Sequence, residues 1–159
     1  MRLLLHTAIF TFIAPGSLTV GVPALIVWLT AATPGDRLVS GLAAVVLATG
    51  VATFLWCVFD FVTSGRGTPD PNRPPTELVV HGLFRLVRHP MYVGVIATIA
   101  GEARLFLSPA LLAWATLVLV AFHLRVVIYE EPTLARTFGG AWDDYRRRVP
   151  RWIPRVGRR

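Results

Sequence analysis

The sequence predicts an all-α polytopic membrane protein, with about four transmembrane helices and a C-terminal cytoplasmic amphipathic helix. The first observation is composition: of 159 residues, 54% are hydrophobic and 16% are charged, whereas soluble domains average about 25% charged residues. The second is a series of long charge-free stretches, and the third is an uneven distribution of arginine. Together with a mean hydropathy of +0.59, these features exclude a disordered chain, a nucleic-acid-binding arm and an ordinary soluble enzyme.

The first predicted span covers about residues 3–32. No charged residue occurs between Leu3 and Gly35, and a membrane helix needs ~20 apolar residues. We expect kinks at Pro15 and Pro23. A secretory signal peptide is the alternative, but its apolar region is shorter than this one.

The second predicted span covers about residues 38–60 and ends at Asp60. Ala44, Ala48 and Ala52 recur at four-residue spacing, which is typical of close helix–helix contacts in membranes. Simple richness in alanine explains the same spacing equally well.

Two further spans are predicted at about residues 90–107 and 109–130, after a loop rich in proline and glycine at 63–76. Pro90 suits the first position of a helix, where its missing N–H costs nothing. Ser108 and Pro109 have the residue types of an N-cap and a first helical position. A turn this short makes the third and fourth helices antiparallel neighbours.

The distribution of arginine predicts the orientation in the membrane. The net charge is +7 and the sequence contains no lysine. Arg37 and Arg104 fall in the two short turns on one side, and the other fourteen arginines fall on the opposite side. Because basic residues concentrate on the cytoplasmic side, we expect an integral protein of a bacterial inner membrane with both termini in the cytoplasm. Its expected partner is the anionic lipid bilayer rather than nucleic acid.

A first unusual feature on the predicted cytoplasmic face is the stretch from His81 to Tyr92, which contains Arg88, His89 and Pro90. It leads into a helix N-terminus, where free N–H groups favour an anion, and Arg88 adds a positive charge. An arginine that faces lipid headgroups is the alternative.

The second feature is the carboxylate pair Glu130 and Glu131 at the end of the fourth predicted helix. That end of the helix dipole disfavours negative charge, and the bilayer edge raises the cost of desolvation. The pair therefore requires cationic partners. Arg85, Arg88 and Arg125 are candidates within a structural cluster, and a cationic ligand is the other candidate.

The two features combine into a site with one pole for an anion and one for a cation. A free amino-acid moiety carries both charges. S-adenosylmethionine carries a carboxylate, an ammonium and a sulfonium, so the site suits this cofactor, although the spacing alone does not identify it.

The C-terminal segment, residues 132–159, is predicted to cover the site as a lid. Short helices are expected at 132–138 and 141–149, and Trp142, Tyr145 and Val149 share one face of the second. We expect this second helix to lie in the membrane interface, with Trp152 as an additional anchor. A tail that only anchors the protein is the alternative.

These residues resemble a known superfamily, that of isoprenylcysteine carboxyl methyltransferases and phospholipid methyltransferases. The matching pattern comprises Gly82-x-x-Arg85-x-x-Arg88-His89-Pro90-Met91-Tyr92-x-Gly94, Glu130-Glu131-x-x-Leu134-x-x-x-Phe138-Gly139 and Tyr145-x-x-x-Val149-Pro150-Arg151-x-Ile153-Pro154. It covers about His81 to Pro154, and the first two helices match only in being helices.

The resemblance implies one membrane methyltransferase domain, residues 1–159, that uses S-adenosylmethionine and a lipophilic acceptor entering from the bilayer. From the chemistry of methyl transfer we expect catalytic roles for two residues: Arg88 would orient an anionic acceptor, and Glu131 would act as a base. The implied cofactor-binding residues are His81, Gly82, Arg88, His89, Pro90, Tyr92, Gly94, Glu130, Glu131, Tyr145 and Arg148.

Two other functions stay open at this point. A sterol-type membrane reductase has a similar C-terminal pattern and binds NADPH, but such proteins are about twice as long. A non-enzymatic four-helix transporter or assembly protein is expected to carry a charge in mid-span, which the first two predicted helices lack. The lone Cys57 allows no disulfide and no zinc site, and we predict no metal.

Overall fold

The computed structural model describes residues 15–64 and 78–155, and every regular element in these two ranges is helical, as the sequence predicts. The beginning of the first predicted span, most of the 63–76 loop and the last four residues lie outside these ranges. The elements are a π-helical turn Ser17–Gly21, α1 Val22–Thr30, α2 Arg37–Ser64, a 3-10 turn Gly82–Arg85, α3 Pro90–Leu105, α4 Pro109–Arg125, a second π-helical turn Val126–Glu130, α5 Glu131–Phe138 and α6 Gly140–Arg148.

Two helical segments are long and apolar enough to cross a membrane, Arg37–Asp60 and the continuous segment Pro109–Phe138. Both present many large apolar side chains on their surfaces; Leu42, Leu55 and Leu117 are examples. A shorter apolar segment covers Ser17–Thr30. These features indicate an integral membrane protein, and the count of four spans stays a prediction.

Helix α3 occupies the centre, between α2 and α4. Glycines bring α2 and α3 into direct backbone contact. A Cβ atom on Gly50 would lie 2.6 Å from the backbone N of Thr98, and one on Gly101 would lie 2.7 Å from that of Leu47. Because real Cβ atoms essentially never come this close, the α2–α3 crossing depends on these glycines.

The helix face predicted from alanine spacing is the wrong one. Ala44, Ala48 and Ala52 are exposed, and α2 instead turns its Ala43 and Gly50 face inward. Glycine allows the backbone of a neighbouring helix to approach more closely than alanine does. The outward face of Ala44, Ala48 and Ala52 therefore reflects alanine richness.

The turns between helices meet at one end of the molecule. The backbone N–H of Gly35 donates to the carbonyl of Leu105 at 2.8 Å. The predicted cap at Ser108 is confirmed, since its Oγ accepts from the backbone N–H of Leu111 at 3.3 Å. The side chain of Glu102 lies near this end, and its Oε2 is buried with no hydrogen-bond partner in the described ranges.

The fourth predicted helix does not stop at Glu130 and Glu131. A π-helical turn connects α4 directly to α5, and Pro132 lies at the start of α5. The wider turn accommodates the proline, which supplies no N–H to the ladder. The two carboxylates therefore lie within a continuous helical segment that ends at Gly139, where φ is +50°, and the helix-end argument for their placement was wrong.

Helix α6 uses its apolar face inside the protein. Trp142, Tyr145 and Val149 form a buried cluster against Leu134 and Phe138 of α5, and Trp142 is only 1% exposed. The face predicted to contact lipid is thus covered by protein. A separate contact holds the C-terminal segment near the start of α3, where the backbone N–H of Arg88 donates to the carbonyl of Pro150 at 2.8 Å.

Candidate functional site

Glu131 lies at the centre of an ion-pair cluster at the N-terminal end of α3. Arg88 donates from Nη1 to its Oε1 at 2.7 Å. Arg151 donates from Nε to Oε1 at 2.8 Å and from Nη2 to Oε2 at 2.7 Å. The Glu131 side chain is 14% exposed. Both of its oxygens are therefore occupied by guanidinium groups, and the two-pronged contact with Arg151 fixes its orientation.

Glu130 has a different environment. Its Oε2 accepts a hydrogen bond from the Tyr92 hydroxyl at 2.8 Å, and Arg125 donates from Nε to the same hydroxyl at 3.4 Å. Its Oε1 lies 3.6 Å from Nδ1 of His89. Within the described ranges no arginine pairs directly with this carboxylate, and its side chain is 32% exposed. Glu130 is thus the more open of the two acidic groups.

His89 lies between the two carboxylates, with Nε2 3.5 Å from Oε1 of Glu131. Burial by itself lowers the pKa of His89, but hydrogen bonding and the charges of Glu130 and Glu131 outweigh burial and raise this pKa above its usual value. Because the raised pKa favours the protonated ring, His89 contributes positive charge to the cluster at neutral pH more often than a free histidine does.

An aromatic group adjoins the cluster. The rings of His89 and Trp152 are 5.6 Å apart, and those of Tyr92 and Phe122 are 4.3 Å apart. The indole Nε1 of Trp152 donates to Nδ1 of His123 at 3.3 Å. Trp152 therefore packs against His89, Tyr92 and His123 beside the carboxylate site.

Five of the predicted site residues come together here: Arg88, His89, Tyr92, Glu130 and Glu131. Pro90 is fully buried at the start of α3. Gly94 faces α2 instead, since a Cβ atom there would lie 2.9 Å from the carbonyl oxygen of Gly50.

Four predicted residues lie apart from the carboxylates. Gly82, with φ at +56°, packs against the side chain of Asp60. His81 precedes it and has a buried Nε2 without a partner in the described ranges. Tyr145 donates from its hydroxyl to the Phe84 carbonyl at 2.7 Å; Arg148, which is exposed, donates from Nε to the backbone carbonyl of Asp144. The positive charge supplied by the tail is Arg151, not Arg148.

Sequence reasoning missed Arg151 and Trp152 as site residues. Arg151 belongs to the C-terminal pattern quoted above, whereas Trp152 falls at an unspecified position of it, so a signal was present for Arg151. It was not interpreted because a tail arginine next to a tryptophan is also typical of a membrane anchor. Asp60 was treated only as the end of a span, although it is 8% exposed and lies against Gly82.

The arrangement suits a ligand that carries both signs of charge. Arg88 has a buried Nε that lacks a hydrogen-bond partner in the described part of the chain, whereas both ring nitrogens of His89 face the carboxylates of Glu130 and Glu131. A buried N–H group of this kind requires a hydrogen-bond acceptor, and an anion bound there would supply one. Glu130 offers a partly open carboxylate beside this group. The residues present therefore fit an amino-acid moiety, with its carboxylate and its ammonium.

A family model for phospholipid methyltransferases matches residues 37–141. This range includes α2, α3, α4 and both carboxylates, and it ends before Arg151 and Trp152.

Several curated proteins are similar to the chain. A probable protein-S-isoprenylcysteine O-methyltransferase of Oryza sativa subsp. indica is 33% identical over 97 residues, 58% of this chain and 51% of that protein. The nickel-cobalt-cadmium resistance protein NccN of Alcaligenes xylosoxydans xylosoxydans is 33% identical over 129 residues, which are 81% of this chain and 53% of that protein. Methanethiol S-methyltransferase 2 of Bradyrhizobium diazoefficiens is 34% identical over 74 residues, which are 46% of this chain and 27% of that protein.

The chain spans about half the length of the first two relatives. No solved structure matches it.

Proposed function

The chain belongs to the phospholipid methyltransferase family, and on that premise we propose that it transfers a methyl group from S-adenosylmethionine to a lipophilic acceptor at the cytoplasmic face of a membrane. The observation that carries this proposal is the cluster of Arg88, His89 and Glu130, which presents both signs of charge at one end of the apolar helices.

The side chains divide the binding of the cofactor between them. Nε of Arg88 donates to its carboxylate, and Glu130 receives its cationic group. Glu131 is held by Arg88 and Arg151, so it contributes by keeping these groups in place. Each charge-assisted hydrogen bond is shorter and stronger than its neutral counterpart.

The reaction asks the protein mainly for positioning. S-adenosylmethionine supplies a methyl group already activated by its sulfonium. The chain contributes a site that Trp152 closes on one side. A backbone hydrogen bond holds the tail there, since the N–H of Arg88 donates to the carbonyl of Pro150 at 2.8 Å. A carboxylate or thiolate acceptor needs no base. An amine acceptor has to lose a proton, and the nearby carboxylates of Glu131 and Glu130 are the candidate bases.

Two of the three relatives described above favour this proposal over the reductase and the transporter, and the name of the third refers to metal resistance. The rice and Bradyrhizobium proteins carry methyltransferase names, with an isoprenylcysteine and methanethiol as the groups named. Their acceptors differ, so the names do not define one for this chain. The charged cluster contains Arg88, Arg125 and Arg151, three of the fourteen arginines of the predicted cytoplasmic side, which supports a cytoplasmic site with both termini on that side.

A labelling experiment tests the proposal. Membranes that contain the full chain are incubated with S-adenosylmethionine carrying a labelled methyl group, and the lipids are extracted and separated. We expect label in a lipid fraction, and about a tenfold or greater loss with Glu130→Gln, from the ~1.5–3 kcal/mol of a charged hydrogen bond. Arg147→Gln, at an exposed ion pair, is the matched control. Equal incorporation in membranes without the protein would contradict the proposal.

A further inference from the structure

A hydrogen bond between two ring systems connects the tail to α4. The indole Nε1 of Trp152 donates to Nδ1 of His123 at 3.3 Å, and the two rings lie 6.2 Å apart with a tilt of 37°. His123 belongs to α4, whereas Trp152 lies in the tail that follows α6. The bond therefore joins the C-terminal segment to a helix of the apolar bundle.

The direction of this bond defines the protonation state of His123. An indole N–H donates and has no lone pair to offer, so Nδ1 of His123 must carry the lone pair, and the ring hydrogen lies on Nε2. Protonation of His123 places a hydrogen on Nδ1 as well, and the acceptor is lost. The bond to Trp152 therefore exists only while His123 is uncharged.

The same indole borders the charged site on its other side. Its ring lies 5.6 Å from that of His89 and 6.5 Å from that of Tyr92. The neighbouring backbone is held separately, by the two hydrogen bonds from Arg151 to Glu131. Those bonds do not determine the side-chain rotamer of the next residue, so the contact with His123 orients the indole.

We propose that His123 is a positioning residue, whose uncharged ring holds Trp152 against His89 and Tyr92 and so keeps that side of the charged site closed. The proposal rests on the proposed function, because the site is the one assigned to S-adenosylmethionine. Acid protonates His123, releases the indole and opens the site to water. Cofactor binding then weakens in acid through a group that does not touch the cofactor.

Other charged and titratable groups lie around the two rings. They are His89 and Tyr92 of α3, Arg125 of α4, the carboxylates Glu130 and Glu131, and Arg151 of the tail. Arginine and tyrosine keep their charge between about pH 5 and about pH 8. His89 is the second histidine, and its carboxylate neighbours favour its protonated form. A variant that keeps His89 and removes only the titration of His123 therefore separates the two.

Two substitutions of His123 in the full chain separate the hydrogen bond from its protonation. His123→Asn keeps an acceptor, because the amide oxygen lies about where Nδ1 was and takes up no proton in this pH range. His123→Phe keeps a ring and has no acceptor. The control is His123→Phe in a Trp152→Phe protein, which has no indole N–H at this position to lose.

Two quantities are followed from about pH 8 to about pH 5, the range in which histidine changes its charge. The first is the magnetic resonance signal of the Trp152 indole N–H, in isotope-labelled protein in detergent micelles, identified by its absence from Trp152→Phe. The second is the affinity for S-adenosylhomocysteine. As the pH falls, the wild-type signal should move to the position found in His123→Phe, and the signal of His123→Asn should stay in place.

The affinity should follow the signal. Over this pH range it should fall about two- to tenfold more in the wild type than in His123→Asn, which is what one hydrogen bond between uncharged groups contributes. His123→Phe should be weaker than His123→Asn by the same factor at every pH. In the Trp152→Phe protein, adding His123→Phe should leave the affinity unchanged.

An equal pH response of the Trp152 signal in the wild type and in His123→Asn would mean that another group, such as His89, moves the indole, and would overturn the proposal. A wild-type signal in His123→Phe, or equal S-adenosylhomocysteine affinity in the wild type and both His123 variants, would overturn it as well. If the signals behave as expected but none of these proteins binds S-adenosylhomocysteine, the proposed function fails, and the contact that orients Trp152 stands without it.

Discussion

The ion pair between Glu131 and Arg151 should be coupled to the folding of the C-terminal segment, and the coupling can be measured with a double-mutant cycle. The perturbations are Glu131→Gln, Arg151→Gln and both together. In the native structure Glu131 has hydrogen bonds from Arg88 and Arg151. Loss of the Glu131 charge leaves Arg88, whose side chain is 12% exposed, as a buried cation without an anionic partner.

The geometry sets the expected magnitudes. Hydrogen bonds to charged groups contribute ~1.5–3 kcal/mol each, and Arg151, at 32% side-chain exposure, is partly screened by solvent. Glu131→Gln should therefore destabilise the protein by about 3 kcal/mol, and Arg151→Gln by about 1–2 kcal/mol. Once Glu131 is neutral, Arg151 has no partner left to lose. The double variant should cost about as much as Glu131→Gln alone, which gives a coupling energy of about 1–2 kcal/mol.

The assay is equilibrium unfolding in mixed micelles, followed by circular dichroism and tryptophan fluorescence. Arg147→Gln is the matched control, because its pair with Asp144 is exposed and should contribute only ~0–0.5 kcal/mol. Additive effects of the two substitutions, or an Arg151→Gln variant as stable as the control, would refute the conclusion that this pair ties the tail to the site.

Three further predictions follow from the described contacts. Tyr145→Phe should destabilise the protein by about 1 kcal/mol, because the Phe84 carbonyl loses its hydroxyl donor; an unchanged unfolding midpoint would contradict this contact. The raised pKa of His89 contributes stability that is complete below about pH 6.5, the usual value, and is lost as pH rises through the folded-state pKa. A plot of unfolding free energy against pH should therefore decline in that direction, and His89→Gln should flatten it. Gly101→Ala should lower the thermal midpoint by forcing α2 and α3 apart, whereas Gly41→Ala, with open space around it, should not; equal midpoints would refute the packing argument.

The helical fold class was predictable because it depends on composition and on the residues that begin or end helices. Charge-free stretches, Pro90 and the Ser108 cap are local signals, and each determines a feature within a few residues of itself. The site with positive and negative side chains was also predictable, since Arg88 and the Glu130–Glu131 pair are charged residues in an otherwise apolar sequence. A charge placed next to an apolar segment needs a partner, and that requirement holds whatever the fold.

The predictions that were wrong concern features that depend on contacts between distant parts of the chain. Alanine spacing could not reveal that Gly50 packs against Thr98, because that contact exists only once α3 is in place. The continuation of α4 through a π-helical turn depends on a register shift that no residue pattern marks. Arg151 reaches Glu131 only because α6 turns the chain back toward α3, and an arginine-rich tail gives no indication of which of its arginines will do so.

The central claim, that the charged cluster binds S-adenosylmethionine, is tested most directly by calorimetry on the purified full chain. Its demethylated product, S-adenosylhomocysteine, and NADPH are titrated separately into wild-type and Glu130→Gln protein. We predict saturable binding of S-adenosylhomocysteine to the wild type, affinity about ten- to a hundredfold weaker in Glu130→Gln, and no heat of binding with NADPH. Saturable binding of NADPH without binding of S-adenosylhomocysteine would contradict the account and favour a reductase.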